Sequence, residues 1–171
     1  MYELDPERSS ITLRTRAGGF FSVVAHDLEL TARVARGQVK NDGDQWDGEI
    51  AIEPSSIRVV GALKRGVVDK KVLSPSDVRD IEQRVANDIF GGVRELVVRA
   101  TGSAHAPVIR IVGKRETTVS GGELKISEMN RIFHARGTVS IKGLGLSEVK
   151  GPLGAFVIKD AVEVDATIAF R

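Results

Sequence analysis

Apolar and polar residues alternate along much of this chain. From Val162 to Phe170, the residues Val162, Val164, Ala166, Ile168 and Phe170 fall on one side. Glu163, Asp165 and Thr167 fall on the other. A period of two is the mark of a strand with one buried face. Phe133 to Lys142 repeats it, with Phe133, Ala135, Gly137, Val139 and Ile141 inward and His134, Arg136, Thr138, Ser140 and Lys142 outward. Leu28 to Val34 does so through Leu28, Leu30, Ala32 and Val34. In Gly48 to Ile52, Ile50 and Ile52 point inward, Glu49 and Ala51 outward. Ser10 to Arg16, Leu96 to Ala100, Val108 to Val112 and Glu123 to Ser127 complete the expected strands.

Turn residues separate these runs. Asn41-Asp42-Gly43-Asp44 and Gly121-Gly122 can supply the positive φ of tight hairpins. Gly18-Gly19 and Gly151-Pro152 are further breaks. Gly61 to Leu73 holds two glycines and several charges and reads as a mobile loop. Many short strands with regular turns indicate a sandwich or a barrel.

One segment changes period. Ser74 reads as an N-cap, Pro75 as the first helical residue, and Asp77 as the acid three positions on. Val78, Ile81, Val85 and Ile89 follow at helical spacing, and Gly91 suits the residue after the helix. The pattern predicts one amphipathic helix over about 75–90, lying across an opening or side of the sheet. The whole chain, 1–171, is expected to form one domain.

Composition narrows the function. Aromatics are only 5%, so a core or cavity must be lined mainly by Val, Ile, Leu and Ala. The formal net charge of +2 is too small for a nucleic-acid footprint, and Lys64-Arg65 and Lys70-Lys71 read as solvated surface. With no cysteine there is no disulfide, thiolate metal site or Cys nucleophile. No stretch is apolar for long enough to span a bilayer, and the first residues carry no signal-peptide pattern. The expected setting is cytoplasmic as given, or periplasmic if a signal has been removed.

Catalytic and metal chemistry find little support. His26, His105 and His134 lie far apart, and His26 and Asp27 are adjacent, so regular strand geometry sends them to opposite faces. No metal site is expected. The ordinary reading is that His26 hydrogen-bonds locally at a bend and that His134 sits on a polar face. No Gly-x-Ser-x-Gly elbow occurs, and Ser9-Ser10 and Ser55-Ser56 read as strand ends. Glu163 and Asp165 share a face, but the solvated one. Gly61-Ala62-Leu63-Lys64-Arg65-Gly66 has the first spacing of a phosphate loop, then continues Val67-Val68 in place of Lys-Ser/Thr. Gly143-Leu144-Gly145 lacks the third glycine of a dinucleotide fingerprint. No cofactor is expected, and the protein is not expected to be an enzyme.

The order of features carries a resemblance. The chain opens Tyr2-Glu3-Leu4-Asp5-Pro6 and a strand runs into Pro54-Ser55-Ser56-Ile57. A single helix follows, then a strand reading Ala135-Arg136-Gly137-Thr138-Val139-Ser140-Ile141-Lys142-Gly143. Lys159-Asp160-Ala161-Val162 introduces the last strand. This succession resembles the YceI-like, polyisoprenoid-binding-like family of bacterial proteins over nearly the whole length. Val78-Arg79-Asp80-Ile81-Glu82 and Gly92 to Val98 depart from the family's usual helix and strand motifs.

The resemblance implies a mainly β protein: a closed, eight-stranded, antiparallel, lipocalin-like barrel with one helix. It further implies an elongated apolar interior that binds an isoprenoid or fatty-acyl chain. Phe21, Leu30, Ile52, Val98, Phe133, Val139, Phe156 and Val164 are the expected lining. Phe21 and Phe156 enter on size alone and the rest on inward parity. The alternation by itself serves a solid core equally well. The alternative is therefore a filled barrel acting as an interaction or stress-response module, in one version a homodimer.

Overall fold

The inward faces read from the alternation are the faces that pack, and Ala51, read as outward, is buried as well. In the last strand, Ala166, Ile168 and Phe170 are buried, and Phe133 and Val139 are buried one strand away. The structure is a computed structural model, and it describes residues 1–18, 26–103, 105–127, 129–148 and 157–171. No described helix is long and apolar enough to cross a membrane.

The strands run in chain order as β1 (Tyr2–Thr15), β2 (Ala17–Gly18), β3 (Asp27–Ala32), β4 (Val34–Asp42), β5 (Gln45–Ile52), β6 (Arg58–Lys64) and β7 (Val67–Asp69). After the helix α1 (Pro75–Arg84) come β8 (Leu96–Ser103), β9 (Ala106–Val112), β10 (Glu116–Thr118), β11 (Ser120–Ser127) and β12 (Ile132–Ser140). The last two are β13 (Val157–Ile158) and β14 (Ala161–Phe170). Every pairing is antiparallel.

The main sheet runs β10-β9-β8-β5-β4-β1-β14-β12-β11, with β3, β6 and β7 branching from β1. The pairings do not close into a ring. Its two terminal strands, β10 and β11, are nevertheless consecutive, with Val119 alone between them. The Val119 backbone N–H donates to the Ile109 carbonyl of β9 at 2.9 Å.

The sheet curves where its ladders are interrupted. β1 pairs with β4 near Tyr2 and with β3 from Ile11 onwards. Between these stretches its register with β14 shifts, from Asp5 to Ser10. Ser9 closes that bulge: its hydroxyl donates to the Asp5 carbonyl at 2.7 Å and accepts the Ala169 N–H at 3.0 Å. The break at Arg33 between β3 and β4 is clipped in the same way. There the buried Ser56 hydroxyl accepts the Arg33 N–H at 3.0 Å and donates to the Glu53 carbonyl at 2.7 Å. Bulges increase local twist and bend a strand. Ser9 and Ser56 are therefore more than the strand ends that the sequence suggests: they satisfy backbone groups where the sheet turns.

Three local expectations change. Gly61 to Leu73 contains most of the β6–β7 hairpin rather than a mobile loop. Arg65 (φ 53°) and Gly66 (φ 80°) form its two-residue turn. Positive φ at both centres matches the twist of the flanking strands. Gly121-Gly122 is no hairpin turn. It lies inside β11, where the register with β12 shifts and Gly121 takes φ 61°. Ala51 faces outward as expected but is buried. It pairs with Arg36 on one side and Val97 on the other, and the Arg36–Glu95 ion pair at 2.6 Å spans β5 beside it.

The helix begins as its residues dictate. The Ser74 hydroxyl accepts the Asp77 N–H at 3.2 Å, and Asp77 returns a bond from the Ser74 N–H at 2.8 Å. The last turn is π-helical over Val85–Ile89, closed by the Phe90 N–H on the Val85 carbonyl at 3.1 Å. The wider turn adds a residue, so the left-handed position falls on Gly92 (φ 83°) and not on Gly91. Gly91 is needed for another reason: a Cβ there would sit 2.6 Å from the Asn87 carbonyl oxygen.

Candidate functional site

The inward faces do not meet in a solid core. They line a partly open apolar cavity of about 230 Å³. A cavity of roughly 150 Å³ already admits a benzene-sized guest when its walls are apolar. The opposite walls are β8 and β9 (Leu96, Val98, Ile109, Ile111) and β12 and β14 (Phe133, Val139, Val164, Ile168). β1, β3 and β5 supply Ile11, Leu13, Leu30, Ile50 and Ile52.

The structure brings six of the expected residues to this one space: Leu30, Ile52, Val98, Phe133, Val139 and Val164. Phe21 and Phe156 lie outside the described residues. The six share the inward faces because residues two apart on a strand share a face.

Other lining residues escaped the sequence reading. Val85, Ile89 and Phe90 arrive from the end of the helix. Leu144 and Leu146 arrive from the turn after β12 and are both buried. Arg115 holds that turn, its backbone N–H donating to the Leu144 carbonyl at 3.0 Å. Trp46 belongs to an aromatic group. Phe133 meets Trp46 edge-on at 5.0 Å and Phe170 edge-on at 5.3 Å. Such geometry places ring edges against ring faces, the favourable arrangement of their quadrupoles. Trp46 sits in β5 with inward parity relative to Gly48, Ile50 and Ile52, a signal that could have found it.

The helix is tied to the sheet by a polar contact. The Glu82 carboxylate accepts the Val59 backbone N–H at 3.0 Å, where the register between β3 and β6 shifts.

The charges lie on the other face. Arg14 pairs with Glu29 at 2.9 Å, Arg16 with Glu163 at 2.8 Å, and Arg136 with Asp165 at 2.8 Å. Arg99 and Arg110 stand directly opposite each other, and each finds a carboxylate elsewhere: Arg99 takes Glu49 at 2.9 Å and Arg110 takes Glu116 at 3.7 Å. Glu163 and Asp165 are thus engaged with separate arginines outside the cavity.

The histidines do not converge. His26 is exposed just before β3, and its neighbour Asp27 makes the local bond, accepting the Ala17 N–H at 2.8 Å. His134 is exposed and shares a 3.1 Å hydrogen bond with the Thr167 hydroxyl. A second, solvent-open groove of about 480 Å³ runs past Glu3, Arg36, Gln38, Glu49 and Arg171. Arg36 and Glu49 in it are already paired with Glu95 and Arg99.

Among solved structures the chain is similar to BcnA of Burkholderia cenocepacia. The TM-score is 0.61 at 12% identity, over 96% of this chain and 98% of that one. That likeness concerns the fold alone. No family model and no curated protein matches the sequence.

Proposed function

We propose that the protein binds and carries or sequesters an apolar chain, an isoprenoid or another lipid, in the interior of the sheet. The observation that carries this reading is the cavity of about 230 Å³ with apolar walls. A filled barrel used only as an interaction module has no need of such a space. The resemblance to the YceI-like family supplies the ligand class. Burying an alkyl or prenyl chain gains about 0.8 kcal/mol per CH₂ before ordering costs, so no elaborate polar chemistry is required.

In this reading the sheet works as a closed, eight-stranded, lipocalin-like barrel. The eight staves are β1, β4, β5, β8, β9, the continuous run of β10 and β11, β12 and β14. Support comes from that run, which pairs with β9 at its start and with β12 at its end. Barrels of eight strands have room for side chains or one small ligand. Binding rather than catalysis fits a lining whose one titratable residue among those described, Arg136, pairs with Asp165.

Native mass spectrometry after gentle purification tests the reading. A lipid-sized mass adduct, or uptake of an added prenyl chain with a change in Trp46 fluorescence, is expected. Protein that carries no lipid and takes up none is a solid-core module instead.

A further inference from the structure

We infer that the cavity takes an amphiphile with one neutral, oxygen-bearing head, hydrogen-bonded to Thr15. This rests on the proposed function and names the ligand's polar end. On β1, Ile11, Leu13 and Thr15 share the inward face and all three line the cavity. Thr15 replaces a hydrocarbon side chain with a hydroxyl at the end of that row. Its Oγ1 is buried and has no hydrogen-bond partner among the described residues. A buried hydroxyl without a partner is costly, and Val would fill the same space without that cost. Thr on a strand has few χ1 wells, and a step of one well carries the hydroxyl to the place that the methyl or the Cβ hydrogen held. Within those few wells the hydroxyl is available to a ligand in the cavity that Thr15 lines.

The head must be neutral. The residues on either side of Thr15, Arg14 and Arg16, point to the outer face and are paired with Glu29 and Glu163. Arg136, whose backbone borders the cavity, turns its guanidinium outward to Asp165. A carboxylate or phosphate at Thr15 would have to compete with Glu29, Glu163 and Asp165 for these arginines. An alcohol or carbonyl oxygen would meet the donor it needs.

The test compares farnesol, farnesene and farnesoate on the full chain and on the variants Thr15→Val and Thr15→Ser. Because farnesol and farnesene are each compared with themselves across the variants, their own hydration cancels in that comparison. Thr15→Val removes an unpaired hydroxyl at nearly constant shape and is expected to fold. It should weaken farnesol about 3- to 10-fold and leave farnesene unchanged. Thr15→Ser should keep the farnesol affinity. On the unaltered chain farnesoate should bind more weakly than farnesol. If Thr15→Val leaves farnesol unchanged, or weakens farnesol and farnesene equally, Thr15 is not the anchor although the cavity binds lipid. If the unaltered chain takes up none of the three, the binding function itself is wrong.

Discussion

Glu82 and Val59 join the helix to the sheet: the carboxylate of one accepts the backbone N–H of the other at 3.0 Å. The bond falls where β6 slips in register against β3, so a ladder partner is missing there. Glu82→Ala should leave the Val59 N–H without its acceptor and lower stability by about 1–3 kcal/mol. Glu82→Gln keeps an acceptor oxygen and should recover most of the loss. Urea unfolding of the three proteins checks this, and equal midpoints would show that the contact is dispensable.

Asp160 makes stability depend on pH. The Lys142 backbone N–H and then the Ser140 hydroxyl hold its carboxyl below the ordinary carboxylate range, at 2.7 Å and 2.6 Å. A depressed folded value means the contribution is fully present above the unfolded value of roughly 4. It is lost as pH falls through the folded value. Asp160→Asn should therefore be less stable than the parent at pH 7, and the gap should narrow on acidification below pH 4. A gap that stays constant with pH would assign the effect to shape rather than charge.

Gly102 is held by its backbone. Its φ is 106°, and a Cβ there would lie 2.5 Å from the Ala106 carbonyl oxygen across the β8–β9 turn. Alanine would gain about 0.4–1 kcal/mol by restricting the unfolded chain, but strain of roughly 1–3 kcal/mol opposes it. Gly102→Ala should be destabilised on balance. Gly102 also stands opposite Trp46 in the ladder, so the Trp46 emission should shift in the folded variant. Unaltered stability and emission would contradict both statements.

What was legible in the chain was local. That Leu30, Ile52, Val98, Phe133, Val139 and Val164 face inward follows from a parity of two, which needs no knowledge of neighbouring strands. The Ser74–Asp77 box is legible because a helix N-terminus is completed within four residues. The β6–β7 hairpin was legible too, in Arg65-Gly66 before Val67-Val68, but the surrounding charges suggested a loop.

The sequence by itself determined which side chains share a face, where the helix starts, and that the inward face is aliphatic. Those properties depend on backbone periodicity and cap chemistry, which act over a few residues. Only the tertiary structure decided that this face surrounds space. Cavity volume depends on how far the walls stand apart. That spacing is set by the breaks that Ser9 and Ser56 satisfy, by the Gly121 bulge, and by the distant Phe90, Leu144 and Leu146 at the cavity wall. Alternation reads the same over a hollow interior as over a filled one. The lone hydroxyl at Thr15 is equally silent in the sequence, because whether it has a partner is a fact about its surroundings.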